Sequence, residues 1–303
     1  MSTEQLVKRY MRSAMGAVAA GLTLFSLMGS AQMASAQSAY DESAPLADLT
    51  PEKYRETGVL AVGTQPDFEP ANFTPIGEDG VRGYNIDIME AMAAKLGLDV
   101  EWSRVPFDQL LIGMQSKKFD AAIAGMTDRK SRQETVDFLD YMSVGSVFMV
   151  AKGNPKGIGS SVNENCGITV GDVKGSDAKR LVDLMAAACE AEGKEPTTLI
   201  SFPNSSDKNL ALTSGRVDTM IWPDMAVSVL LREVGDVIEP MPIDFEPRVF
   251  LGITFNKTES ELRDAMLEAL GAIHEDGTYD EILSKWDVEA VALDDYGINL
   301  AKE

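Results

Sequence analysis

From residue 59 onward, short apolar runs alternate with longer stretches whose apolar residues recur every three or four positions. The short runs at 59–63, 121–124, 144–150, 168–170, 198–202, 218–222 and 250–255 predict strands, and the small apolar run 121–124 predicts one buried on both faces. Between them, Met89, Met92, Ala93 and Leu96 share one helical face that Gly97 ends. Val100 and Trp102 alternate as a further strand, and Leu110, Leu111 and Met114 mark a helix from about Asp108. Helices are also predicted over 178–189, 207–213 and 225–234. A closing pair carries Leu262, Met266, Ala269 and Ile273 on one face, then Tyr279, Ile282, Leu283 and Trp286. Strands alternating with helices predict an α/β fold with mostly parallel sheets and flanking helices.

The pattern breaks at Gly153, Pro155, Gly157 and Gly159 and restarts at residue 168 as a second α/β unit. Two similar halves, each with a polar turn at a strand end, predict two lobes facing a shared cleft. The expected division is 58–146 plus 250–303 for one lobe and 147–249 for the other. Residues 37–57, with Pro45 and Pro51, read as a loosely attached leader. The tail after Asp287 is acidic and weakly patterned.

The N-terminus is read separately. Lys8, Arg9 and Arg12 precede an apolar run from Ala14 to Met28, and Ala34-Ser35-Ala36 gives a small-x-small cleavage site. These three parts predict a secretory signal peptide over residues 1–36. Its removal takes away three cations and one anion, so the formal charge moves from −21 to −23. Such an acidic surface excludes nucleic acid and anionic lipid as expected partners. In an exported protein the two cysteines, Cys166 and Cys189, read as a disulfide. A metal site would need more ligands, and His274 is the only histidine. No metal or cofactor is expected.

Candidate chemistry gathers at strand ends. After the strand at 121–124 and Gly125, the chain presents the Thr127 hydroxyl and the Arg132 guanidinium. In open α/β sheets, ligands sit outside the carboxyl ends of the strands, and a guanidinium there matches a carboxylate. The alternative for Arg132 is an ordinary surface arginine. Phe68 and Phe107 follow other strands and either stack on a ligand or cap the core. Ser176 and Asp177 begin a helix, where capping and anion binding are compatible readings. Asp224, after Pro223, pairs with a ligand ammonium or caps the next helix. No nucleophile–base pair and no Walker-type loop is visible, so the site reads as a binding site.

The chain resembles the bacterial extracellular solute-binding family that serves polar amino acid ABC transporters. The words that carry the resemblance occur in order: GVLAVGT, GYNIDIMEAMAAKLGL, FDQLLIGMQSKKFDAAIAGMT, R-x-x-x-VDF, VKGSDA, LTSGRVD and EDGTYDEILSKW. They span about residues 58–287. The resemblance implies a two-lobed, hinged fold that closes on its ligand. It implies that Arg132 grips the ligand carboxylate, that Thr127 and Gly125 line the same site, and that Phe68 and Phe107 sandwich the ligand. It also implies amide contacts from the helix start at Ser176 and Asp177, and it fits a subgroup with a disulfide in the second lobe. The usual ammonium-binding Asp position is Pro223 here, with Asp224 next to it. The acid often found after the first strand is Gln65, with Asp67 nearby. Asp224 or Asp67 is therefore expected to take the ammonium, or the ligand is not a standard α-amino acid.

The expectation is a monomeric periplasmic protein that captures a polar amino acid and delivers it to a membrane permease. The alternatives are an enzyme of cyclohexadienyl-dehydratase type on the same fold, with Asp67 or Asp224 as the acid, and a ligand-sensing module.

Overall fold

The computed structural model describes residues 40–302, so the expected signal peptide lies outside the described residues. In chain order the strands are β1 (Val59–Thr64), β2 (Asp67–Phe68), β3 (Asn72–Phe73), β4 (Asp99–Arg104), β5 (Ala121–Thr127), β6 (Val136–Val144) and β7 (Ser146–Ala151). They continue with β8 (Thr169–Val173), β9 (Thr198–Phe202), β10 (Thr219–Pro223), β11 (Ile238–Pro242), β12 (Val249–Asn256) and β13 (Ala292–Ile298). One sheet has the order β13-β6-β12-β5-β1-β4 and the other β11-β7-β10-β8-β9. β2 and β3 form a separate small hairpin.

Both sheets are mixed, whereas the alternating pattern predicts mostly parallel ones. β1 pairs in parallel with β4 and β5, and β8 with β9 and β10, through helical crossovers. β12, β6 and β13 run antiparallel in the first sheet, as do β7 and β11 in the second. The chain passes between the sheets through β6, β7, β11 and β12, of which β6 and β11 carry weak sequence signals. β6 includes Asp137 and Asp140, and β11 carries Pro240 and Pro242. β11 is an edge strand, where the missing proline N–H groups cost no ladder bonds.

The apolar run at 144–150 is not one strand. It divides at Gly145, with β6 ending in the first sheet and β7 starting in the second. A side chain at Gly145 would clash: a Cβ there would lie 2.6 Å from Asp224 Oδ2. The chain returns between the sheets through residues 243–248.

Each sheet is covered on both faces. Helices Tyr84–Lys95, Ser260–Glu275 and Thr278–Lys285 bury Met89, Met92, Met266, Ile273 and Leu283 against the first sheet. Its other face packs against helix Phe107–Gln115 through Leu110, Met114, Phe119 and Phe138. Gly63 and Gly113 allow this closeness, since a Cβ at either would lie within 2.6 Å of the Phe119 ring. In the second sheet, helix Ala178–Ala191 covers one face and helices Ser205–Thr213 and Val227–Val234 the other. Cys166 and Cys189 form a disulfide that ties the approach to β8 to helix Ala178–Ala191.

Residues 40–57 are docked rather than loose. The Thr50 hydroxyl donates to the Leu96 carbonyl at 2.7 Å, and the Leu46 amide donates to the Lys95 carbonyl at 2.9 Å. Tyr54 is buried in the first core, where its hydroxyl donates to Asp120 at 3.0 Å. Two aromatic anchors, Tyr54 and the partly buried Tyr40, together with these hydrogen bonds hold a segment whose composition is polar.

Candidate functional site

The carboxyl ends of β1, β5, β8 and β10 converge on a cavity of about 150 Å³ between the two sheets. Gln65 enters it just after β1, Thr127 ends β5, Asp172 and Val173 end β8, and Pro223 ends β10. Phe68 and Phe107 both line it, and Phe68 also packs on Trp222 with ring centroids 5.1 Å apart. Gly125 lines it in a left-handed conformation (φ +66°), which turns β5 toward the cavity and favours glycine there.

Four charged side chains form a cluster that supplies one wall through Arg129, Asp177 and Glu246. Arg129 Nη2 donates to Asp177 Oδ2 at 2.7 Å and to Glu246 Oε1 at 2.6 Å. Arg180 donates to the same two carboxylate oxygens. Burial disfavours the Arg129 charge, but the Asp177 and Glu246 carboxylates outweigh it and raise the pKa. The quartet spans the molecule, since Arg129 follows β5 while Asp177 precedes helix Ala178–Ala191. Asp177 therefore does not cap that helix with its side chain. Ser176 does so weakly, its hydroxyl accepting the Ala178 amide at 3.4 Å.

Arg132 lies behind this wall, in the single turn Lys130–Gln133, and is not among the cavity-lining residues. Its Nη1 donates to the Thr127 carbonyl at 2.7 Å and its Nη2 to the Gly175 carbonyl at 2.9 Å. It pairs directly with no carboxylate among the described residues. Burial lowers its pKa, and Asp177 and Asp128 offset this only at longer range. Arg132 thus contributes an incompletely compensated positive charge beside Thr127 and Ser176.

A second charged group stands elsewhere in the cavity. Lys208, 4% exposed, donates to Asp172 Oδ1 and to the Ile221 carbonyl, each at 3.3 Å. Its ammonium sits 4.4 Å from the centre of the Trp222 ring. Burial raises the Asp172 pKa, with Lys208 opposing the shift.

The two acids considered for the ligand ammonium lie outside the cavity wall. Asp67 Oδ2 accepts the Ser205 amide at 2.9 Å, at the start of helix Ser205–Thr213. Burial raises its pKa. Asp224 pairs with Arg248 at 2.7 Å, and its amide donates to the Gly145 carbonyl at 3.0 Å. It therefore braces the two crossings between the sheets. Among the described residues no cluster of three or more His, Cys, Asp or Glu could hold a metal. His274 is stacked between Tyr279 and Tyr296 and does not line the cavity.

The profile of the bacterial extracellular solute-binding proteins, family 3, matches residues 60–289. The chain belongs to that family. It is similar to an arginine-binding protein of Corynebacterium glutamicum, with 29% identity covering 99% of this chain and 98% of that one. It is also similar to the lysine/arginine/ornithine-binding periplasmic protein of Escherichia coli, with 26% identity covering 75% and 86%. Among solved structures it resembles an ancestral arginine-binding protein bound to arginine. There the identity is 32%, the TM-score 0.68, and coverage 76% of this chain and 98% of that one. These relatives are binding proteins, and the family-3 fold accounts for both sheets and the cleft between them.

Four groups around this family-3 cavity carry charge that sequence reasoning did not single out: Arg129, Asp172, Lys208 and Glu246. Asp172 was legible in principle as an acid inside the otherwise apolar strand VGDV. Lys208 gave no such signal, because its helix has polar residues on several sides and only the fold turns it inward. Glu246 lies in a proline-flanked connection without periodicity.

Proposed function

We propose that this chain is a receptor acting outside the cytoplasm, in the periplasm, that captures a polar amino acid and delivers it to the permease of an ABC transporter. In this reading residues 1–36 direct export. Residues 58–146 with 250–303 form one lobe, and residues 147–249 form the other. The observation that carries the proposal is Arg132: a cation without a paired carboxylate, behind Thr127 and Ser176, at a cavity made by both sheets. A ligand carboxylate arriving there gains a charge-assisted interaction in a partly desolvated site. Gly125 and Thr127 line the ligand head group, the helix start at Ser176 and Asp177 adds amide donors, and Phe68 and Phe107 flank the ligand.

Cross-cleft contacts support closure as the mechanism. Arg132 reaches Gly175, Asp67 reaches Ser205, and Lys174 pairs with Asp108 at 2.8 Å. Lys174 holds the Asp108 pKa low. Each contact joins the two sheets, so a ligand that favours their approach shifts the population toward the closed state.

The test is a thermal-shift screen of the mature protein against amino acids, followed by mass spectrometry of each positive mixture. Binding should raise the melting temperature and leave the ligand unchanged. Conversion of the ligand would overturn the receptor reading in favour of an enzyme.

A further inference from the structure

The relatives that carry arginine or lysine in their names raise the question of whether this cavity suits a cationic side chain. Its charges argue otherwise. Away from the Arg129 quartet and Arg132, the charged groups at the wall are Asp172 and Lys208, bonded to each other and both buried. Asp67, which feels the Lys208 charge, gives Oδ2 to the Ser205 amide across the cleft and lies outside the cavity wall. Gln65, on the opposite wall, is uncharged. A guanidinium or ammonium side chain brought here would find one carboxylate, already neutralised by a cation 3.3 Å away. In a low-dielectric cavity the repulsion from Lys208 would offset the attraction to Asp172. A carboxylate side chain would meet the mirror-image problem at Asp172.

We propose that the Asp172–Lys208 pair is the specificity-determining element of the cavity and selects a neutral side chain that both donates and accepts hydrogen bonds. A carboxamide or ureido group fits this chemistry. Its N–H groups donate to the Asp172 carboxylate and its oxygen accepts from the Lys208 ammonium. Lys208 has a third N–H beyond those given to Asp172 and the Ile221 carbonyl. Gln65 supplies a further donor and acceptor. Each charge then keeps its partner while gaining a hydrogen bond, so no buried charge is left unpaired on binding. The Trp222 ring under Lys208 fixes the ammonium at this end of the cavity.

This inference rests on the amino-acid-receptor reading, and one experiment separates the two. Glutamine, citrulline, arginine, lysine and glutamate are titrated calorimetrically into the wild-type protein, Asp172→Asn and Lys208→Met. In the wild type, glutamine or citrulline should bind at least tenfold tighter than arginine, lysine or glutamate. Lys208→Met frees the Asp172 charge and should move the preference toward arginine and lysine. Asp172→Asn frees the Lys208 charge and should move it toward glutamate. A wild-type preference for a cationic or anionic side chain overturns the inference and leaves the receptor reading standing, whether or not the variants fold. An unchanged ranking in both folded variants overturns it equally. Failure of every amino acid to bind the wild type overturns the receptor reading itself, and the inference with it.

Discussion

Arg132, on the turn after β5, donates through Nη2 to the carbonyl of Gly175 in the opposite half of the molecule, 2.9 Å away. The same guanidinium holds the Thr127 carbonyl at 2.7 Å, so one side chain fastens the strand end of one sheet to the loop after β8 of the other. Because both acceptors are neutral carbonyls, the positive charge is restrained but not paired. In the receptor reading proposed above, that arrangement holds a cation in place for the ligand carboxylate.

Asp67 makes the companion contact on the other side of the cleft. Its carboxylate accepts the Ser205 amide and so acts as an N-terminal cap supplied from the opposite sheet. Loss of a cap costs about 1 kcal/mol, so Asp67→Ala should weaken ligand binding roughly fivefold while leaving each half folded. Asp67→Asn keeps an acceptor oxygen and should stay near wild type. Calorimetric titration of both variants distinguishes them, and equal losses would show that the contact does not act as a cap.

Much of this architecture is legible in the sequence. Met89, Met92 and Leu96 place one helix, the run at 121–124 places a central strand, and Gly125 marks the turn into the site. Phe68, Phe107, Thr127, Ser176 and Asp177 all fall at strand or helix ends that the fold brings to one cavity. The antiparallel pairing was hidden, because the apolar runs of β7 and β12 carry no direction, while Asp137 and Asp140 in β6 and the prolines in β11 break the expected apolar runs. The fastening roles of Asp67 and Asp224 were hidden for another reason. Each depends on a backbone group more than 70 positions away in the chain, the Ser205 amide and the Gly145 carbonyl.

Asp140 ties stability to pH. It is fully buried in β6, where Oδ2 accepts the Leu300 amide at 2.8 Å. Burial first, and then the nearby Asp128 carboxylate, push its pKa up to about 8. An unfolded Asp titrates near ~4, so the native state binds the extra proton between roughly pH 4 and pH 8. The stabilisation from this group is complete below the lower value and is lost as pH rises through the upper one. The loss is at most about 1.4 kcal/mol per pH unit within that window. Asp140→Asn mimics the protonated form, so its denaturation free energy should fall less than that of the wild type between pH 5 and pH 8. Parallel profiles from urea melts would contradict the assignment.

The Cys166–Cys189 disulfide closes a loop with a sequence separation of 23. The chain-entropy relation gives about 3 kcal/mol for a loop of this size. Replacing both cysteines by serine should therefore lower the free energy of unfolding by roughly that amount. The cavity residues need not move, so ligand affinity at low temperature should stay within a few-fold of wild type. Equilibrium denaturation and titration of the double variant check both halves of the expectation.

The most direct test of the central claim pairs Arg132→Ala with a change in the ligand. The best-binding amino acid and its α-carboxamide derivative, which lacks the carboxylate charge, are titrated into the wild type and into the variant. Breaking a partly buried carboxylate–guanidinium interaction costs about 3 kcal/mol, or roughly 100-fold. The expected result is a loss of about that size for either change alone, with little further loss when both are combined. If the wild type bound the carboxamide as tightly as the acid, or if Arg132→Ala kept wild-type affinity, the carboxylate would not be held through Arg132.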